Sequence, residues 1–78
     1  MIGKTIKYMR KEKKLKQSDL IKIINVGQST LSDYENEKIS IEYNLLEKIA
    51  SICDYDIIFR NRITQEEFKP SDLERKDI

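Results

Sequence analysis

Apolar residues recur at intervals of three and four through the first two thirds of the chain, with polar residues between them. This spacing is typical of amphipathic α-helices, in which residues three or four apart share a face. It predicts four helices over residues 2–13, 17–24, 28–35 and 41–53, with Ser40 as the N-cap of the fourth. Three short helices around a fourth with a broad apolar face predict a compact all-α domain.

The segments between these helices contain residues that end helices. Asn25 and Gly27 both tolerate the left-handed backbone conformation found at helix ends, so residues 25–27 predict a tight turn. Val26 in this turn is apolar, and so is Leu15 between the first two helices. We therefore expect both side chains to pack against the core and to fix the positions of the connections.

The segment after the fourth helix has a different character. Residues 55–60 read YDIIFR, which is rich in β-forming side chains and lacks helical spacing. A single strand needs a partner, and no second strand pattern is visible in the rest of the chain. We therefore expect this segment to pair with its copy in a second subunit, through Tyr55, Ile57, Ile58 and Phe59. The alternatives are that it continues the fourth helix or packs as coil.

The last residues of the chain mix positive and negative charges densely. Thr64 and Glu67 have the spacing of a capping box, which permits a short helical turn, and we otherwise expect flexibility. The chain is thus predicted to comprise a folded domain over residues 1–54, a dimerisation strand over 55–61 and a charged, flexible tail over 62–78.

The composition argues against catalysis and against a bound metal. The 78 residues include one cysteine and no histidine, so the chain lacks both an internal disulfide and a zinc-binding cluster. It also lacks a glycine-rich phosphate loop and a nucleophile elbow. We therefore expect no enzyme activity, no metal and no cofactor, and we expect Cys53 to be a small buried apolar residue in a reducing compartment.

The hydrophobic runs are too short for a membrane protein. The longest of them is Ile57-Ile58-Phe59, whereas a spanning helix needs roughly 20 apolar residues. The basic start of the chain is not followed by the apolar core of a signal peptide. These features predict a cytoplasmic protein with no membrane partner.

A formal net charge of +1 hides a strong asymmetry along the chain. Residues 1–22 carry eight basic and two acidic side chains, whereas residues 23–54 carry two basic and six acidic ones. A local basic face can bind a polyanion even when the whole protein is nearly neutral. The alternative is that the basic residues only form a well-solvated helix surface.

The segment QSDLIKIINVGQSTLSDYE, residues 17–35, has the organisation of a helix-turn-helix. The outer face of its second helix carries small hydrogen-bonding groups and lacks the Glu/Lys ladder of an ordinary solvated helix. The chain resembles the phage repressor/Cro type of helix-turn-helix domain, the XRE family, over about residues 2–55. The positions that match the family pattern in register are Arg10, Gln17, Leu20, Asn25, Val26, Gln28, Ser29, Thr30, Leu31, Ser32, Tyr34, Glu35, Ile49 and Ala50.

This resemblance implies that the second helix of the motif lies in the DNA major groove and contacts base edges. Glutamine can bond adenine through two atoms, serine can bond several bases, and a carboxylate can accept from cytosine. The residues expected to contact bases are Gln28, Ser29, Ser32 and Asp33.

The resemblance also implies roles for residues around this helix. Arg10 is expected to form an ion pair with Glu35, which would tie the first helix to the end of the third. The alternative for these two residues is a pair of surface charges worth almost nothing. Gln17 begins a helix, where backbone N–H groups favour a phosphate, although it could also be a simple polar cap. The residues expected to contact phosphate are Lys16, Gln17, Thr30, Asn36 and Lys38.

Several positions depart from the family pattern. Ile21 stands where alanine is common, Lys16 where serine or threonine often caps the second helix, and Gly27 where serine often caps the third. Glu37 replaces a frequent glycine. Together with Asp33, Glu37 would place two carboxylates near the expected DNA face, where they would repel phosphate unless they met a base donor or pointed away.

These observations support a leading function and an alternative. The leading one is a sequence-specific transcriptional regulator that binds double-stranded DNA, as a homodimeric repressor of a pseudo-palindromic operator. Its two recognition helices would face half-sites about 34 Å apart. The alternative is an antitoxin-like interaction module that keeps the helix-turn-helix as a scaffold and binds a protein partner, such as a toxin or another regulator, through its C-terminal region.

Overall fold

Four helices fill the first two thirds of the chain, as the hydrophobic spacing predicts. The computed structural model describes residues 1–75. The helices are α1 (Ile2–Glu12), α2 (Gln17–Ile24), α3 (Gln28–Glu35) and α4 (Tyr43–Ile52). They are followed by two short strands, β1 (Phe59–Arg60) and β2 (Glu67–Phe68), and by a 3₁₀ helix, Pro70–Arg75. The prediction of a flexible tail extends to residues 76–78, which lie outside the described part of the chain.

Each of the four helices contributes one fully buried side chain to the core. These are Ile6, Leu20, Leu31 and Ile49. Burying an aliphatic side chain of this size stabilises a fold by roughly 1.5–3 kcal/mol, so the four together hold the helices against one another. The predicted burial of Cys53 beside them is confirmed.

The connections are held to the same core. Leu15 and Val26 both pack against it from the segments between helices, as predicted. Asn25 ends α2 in the left-handed conformation, with φ of 58°, and its N–H donates to the carbonyl of Ile21 at 2.9 Å. Gly27 keeps an extended conformation and precedes α3. Asparagine therefore provides the left-handed residue that allows only three residues to separate α2 from α3.

The fourth helix begins later than the sequence predicts. We expected residues 41–53 with Ser40 as the N-cap, but α4 begins at Tyr43 and Glu42 precedes it as the cap. The Glu42 carboxylate accepts a hydrogen bond from the backbone N–H of Asn44. Ile41 packs against the core from outside the helix. Its apolar character fits the helical spacing, which explains the error.

The prediction that the first strand has no partner within the chain is wrong. β1 pairs with β2 in an antiparallel hairpin, with Phe59 opposite Phe68 and Arg60 opposite Glu67. The two phenylalanine rings stack with their centroids 5.7 Å apart. The capping-box interpretation of Thr64 and Glu67 is also wrong, because Glu67 belongs to a strand.

Asn61 holds the turn between the two strands. Its side-chain oxygen accepts hydrogen bonds from the backbone N–H groups of Ile63 and Thr64, at 2.9 and 3.1 Å. Asparagine favours turns because its short side chain can bond the backbone a few residues further on. These hydrogen bonds fix the turn of the hairpin, which lies in the segment that the sequence predicts to be a flexible tail.

The N-terminal turn of α1 lies directly against the end of α3 at Gly3. A Cβ at this position would lie 2.8 Å from the carbonyl oxygen of Glu35 and still closer to that of Tyr34. Both neighbours are backbone atoms, which cannot move aside as a side-chain tip can. Only glycine therefore lets the two helices approach this closely.

We expect Gly3→Ala to destabilise the fold by roughly 1–3 kcal/mol, because the added methyl forces α1 away from α3. Urea denaturation followed by circular dichroism measures this change. Gly27→Ala is the control, since a Cβ at Gly27 meets no atom closer than 3.9 Å. Equal effects of the two substitutions would contradict the close packing at Gly3.

Candidate nucleic-acid interface

A buried ion pair joins the two helices that frame the helix-turn-helix. The Arg10 Nε donates to Glu35 Oε2 at 2.6 Å, and its Nη2 donates to Glu35 Oε1 at 2.9 Å. Both side chains are almost completely buried, at 9% and 2% exposed. Because the contact has two parallel bonds between planar groups, it fixes the orientation of α3 as well as its distance from α1.

Two further hydrogen bonds extend this pair into a network. The Arg10 Nη1 donates to the backbone carbonyl of Leu15 at 2.8 Å, and the Gln17 Nε2 donates to Glu35 Oε1 at 3.1 Å. The network therefore links α1, the start of α2 and the end of α3. Sequence reasoning assigned Gln17 to phosphate or to capping and missed this bond to Glu35.

The network controls the ionisation of both partners. Burial pushes the pKa of the Glu35 carboxyl upward, but hydrogen bonds from Arg10 and Gln17 and the nearby positive charges of Arg10 and Lys7 outweigh burial and lower it. The hydrogen bond to Glu35 likewise raises the pKa of Arg10 against the opposing effect of burial. The pair is therefore fully charged at neutral pH.

The exposed side of α3 consists of short polar side chains. Gln28 and Ser29 are exposed in its first turn, while Ser32 and Asp33 are half-buried one turn later. The inner side carries buried Leu31 and the ion-paired Glu35. Amide, hydroxyl and carboxylate groups on one side of a rigidly held helix form a surface that can hydrogen-bond to base edges.

The candidate phosphate residues lie before α2, after α3 and on α3 itself. Lys16 is exposed and precedes α2, with its backbone N–H bonded to the Asp19 carboxylate at 2.9 Å. Lys38 and Asn36 are exposed beyond the end of α3, and the Asn36 Nδ2 donates to Ser32 Oγ at 3.2 Å. Thr30 is half-buried on α3 itself.

The departure at Glu37 has a structural explanation. Glu37 adopts a left-handed backbone conformation with φ of 62°, which glycine adopts without strain and other residues adopt at a cost. A glycine at the equivalent family position fits this geometry. The Glu37 carboxylate pairs with the amino group of Met1 at the start of α1.

Several stabilising residues were not found from the sequence. Asp19 accepts a bond from the N–H of Lys16 and completes one side of a capping box, for which its spacing was a usable signal. Lys13 forms an exposed ion pair with Asp54 at 2.5 Å. This contact joins residues 41 positions apart, and no local pattern indicates such a pairing.

Residues 1–75, the described part of the chain, contain no group of three or more His, Cys, Asp or Glu side chains placed to hold a metal ion. Within the same range, no helix has the length and apolar character needed to cross a lipid bilayer.

Two short helices joined by a tight turn, with a polar surface on the second, define the helix-turn-helix class of DNA-binding domains. A family model described as helix-turn-helix matches residues 6–59 of this chain. The chain therefore belongs to the helix-turn-helix family, and its domain is of the phage repressor/Cro type.

The comparison with curated proteins adds a phage relative. The chain is 36% identical over 56 residues to the ImmF control region 10 kDa protein of Bacillus phage phi105. The alignment covers 72% of this chain and 62% of the phage protein, so it spans less than two thirds of that relative's length. No solved structure matches the chain.

Proposed function

We propose that this protein is a sequence-specific DNA-binding transcriptional regulator that acts as a homodimeric repressor. The observation that carries the proposal is the polar surface of α3, which the buried Arg10–Glu35 pair holds in a fixed orientation. Family membership and the likeness to a phage control-region protein support the same function.

In this proposal α3 lies in the major groove and contacts base edges. Gln28 is the strongest candidate, because its exposed amide can donate to adenine N7 and accept from the adenine amino group at once. Ser29 and Ser32 can each bond several bases, and the Asp33 carboxylate can accept from the cytosine amino group. A cytosine donor would offset the repulsion between Asp33 and phosphate.

In the same proposal, residues around the α3 surface contact the DNA backbone. The start of α2 presents free N–H groups and the positive end of the helix dipole, with Lys16 beside it. Because the Gln17 amide is bonded to Glu35, we assign the Gln17 phosphate contact to its backbone N–H. Asn36 and Lys38 contact phosphate from the segment after α3, and Thr30 does so from the side of α3.

The homodimer is assigned to the hairpin after α4. A two-stranded hairpin is only marginally stable alone, and this one exposes 49–50% of Ile58 and Phe59 and 41% of Phe68. Tyr55 is also exposed, whereas Ile57 packs against the core of its own chain. Pairing of two hairpins across a twofold axis would cover these apolar groups and place two recognition helices about 34 Å apart.

The base-contacting role predicts the effect of Gln28→Ala. We expect this substitution to weaken binding to the selected operator by roughly 1–3 kcal/mol and to leave binding to random DNA unchanged. Titrations of both duplexes by fluorescence anisotropy measure the two effects. Asn44→Ala, which removes an exposed amide from α4, is the control and should change neither. Equal losses on both duplexes would contradict the assignment of Gln28.

A second candidate function is an antitoxin-like module that binds a protein partner. The exposed apolar side chains of the hairpin favour this function, because such a patch can bind a partner protein as well as a second copy of the chain. The dependence of duplex affinity on salt separates the two functions. A DNA regulator loses affinity steeply as salt rises, because each phosphate contact releases a counterion.

A further inference from the structure

A row of lysines on α1 lies beside the candidate DNA surface and has no assigned role. Gly3 and Arg10 both lie against the end of α3. Lys7 follows Gly3 by four residues and precedes Arg10 by three, so all three share one side of α1. The side chain of Lys7 is nevertheless exposed. Its positive charge is one of the influences that lower the pKa of Glu35, which supports its position near α3.

Other lysines continue this row along α1. Lys4 and Lys11 lie three and four residues from Lys7 and are exposed, and exposed Lys14 follows the helix. We call Lys4, Lys7, Lys11 and Lys14 the α1 ridge. Among the lysines of residues 1–75, Lys13 forms an ion pair, and Lys13 is not part of the ridge.

The ridge lies between the two candidate phosphate clusters. At one end, Arg10 bonds the carbonyl of Leu15, directly before Lys16 at the start of α2. At the other end, Gly3 lies against the end of α3, from which Asn36 and Lys38 follow. The carboxylate of Glu12 raises the pKa of Tyr8, which lies four residues before it on α1. A row of exposed lysines therefore runs along α1 beside the end of α3, with the Glu37 side chain at its Gly3 end.

We propose that the α1 ridge contacts the DNA phosphate backbone and extends the interface beyond the helix-turn-helix. The inference rests on the proposed DNA-binding function. A strand of DNA presents a phosphate every few ångströms, and a row of ammonium groups can neutralise successive phosphates and release their counterions. The ridge adds affinity and salt dependence but carries no sequence information.

The test compares two triple variants with the same loss of charge. The ridge variant is Lys4→Gln/Lys7→Gln/Lys11→Gln, and the control variant is Lys22→Gln/Lys48→Gln/Lys69→Gln, whose lysines are exposed outside α1. Operator affinity is measured over a range of salt concentrations for both variants and for the unmodified protein. Each lost phosphate contact lowers the slope of log affinity against log salt by about 0.9.

We expect the slope of the ridge variant to fall by the amount of roughly one to three phosphate contacts. Its affinity should fall equally on operator and on random DNA. The control variant should keep the slope of the unmodified protein. Equal slopes for the two variants would overturn the proposal, because the salt dependence would then follow from net charge alone and not from the position of the lysines. The same conclusion follows if the ridge variant keeps its DNA slope but loses binding to phosphatidylserine vesicles. A failure of the unmodified protein to bind any duplex would instead overturn the proposed function.

Discussion

Glu35→Ala is expected to lower the free energy of unfolding by about 3–5 kcal/mol, because it leaves the Arg10 guanidinium buried without a carboxylate. The Arg10 side chain is only 9% exposed, so water cannot replace the lost partner. Urea denaturation followed by circular dichroism measures the change. Lys13→Ala is the control, since it breaks an ion pair that is largely exposed and should cost less than about 1 kcal/mol.

The double variant Arg10→Met/Glu35→Leu separates the cost of an unpaired charge from the value of the pair. Replacing a buried ion pair with apolar side chains of similar volume is often neutral, so we expect most of the stability to return. A Glu35→Ala protein within about 1 kcal/mol of the unmodified one would contradict the account. It would show that the pair contributes no more than a surface contact.

The same pair predicts how stability depends on pH. The pKa of Glu35 is lower in the folded protein than its ordinary value, which in an unfolded chain is about 4.3. Its contribution is therefore fully present above that value and is lost as pH falls through the lower pKa of the folded state. We expect Glu35→Gln to flatten the loss of stability below about pH 4. Parallel pH profiles of the two proteins would contradict this assignment.

Phe59→Asp is expected to convert the proposed dimer into a monomer and to weaken operator binding by roughly 10²–10⁴-fold, because the two half-sites are then bound independently. The charge would be placed in the apolar patch formed by the stacked rings of Phe59 and Phe68. Sedimentation velocity measures the oligomeric state, and titration of the operator measures the affinity.

The control for sedimentation is Ile23→Asp, which introduces the same charge at an equally exposed apolar residue on α2. We expect this control to remain dimeric. A Phe59→Asp protein that sediments like the unmodified chain would reject the hairpin as the dimer interface. An unmodified protein that is monomeric at every concentration tested would reject the dimer itself.

The helices could be predicted because their signal is periodic. The bounds of α2 and α3 agree with the sequence prediction to the residue, since a tight turn at Asn25 and Gly27 separates two clear apolar patterns. The start of α4 could not be located in the same way, because Ile41 continues the apolar pattern while packing from a loop. The start of the helix is set by the cap Glu42, whose carboxylate accepts a hydrogen bond from the Asn44 N–H, and not by hydrophobicity.

The second strand escaped prediction because it is two residues long. Glu67 and Phe68 are too few to show alternation, and their partners Arg60 and Phe59 lie seven and nine residues earlier, across a turn held by Asn61. The stacking of Phe68 on Phe59 becomes visible only once the turn is formed. Because residues 62–78 are charged and contain only isolated apolar residues, their sequence predicts a flexible tail.

The candidate site was predictable to different degrees. The outer position of Gln28 and Ser29 follows from helical spacing, and the structure exposes both. The proximity of Arg10 to Glu35 was expected only from resemblance to the family, because charge alone does not choose a partner 25 residues away. The roles of Gly3 and Gln17 depend on contacts between α1, α2 and α3, for which neither residue has a local signal.

The most direct test of DNA recognition is selection from a pool of random duplexes with the purified protein, followed by titration of the selected duplex at two salt concentrations. The account predicts enrichment of a pseudo-palindrome with half-sites about one helical turn apart, and a steep fall in affinity at the higher salt concentration. No enrichment, with weak binding that is the same for every duplex, would contradict it.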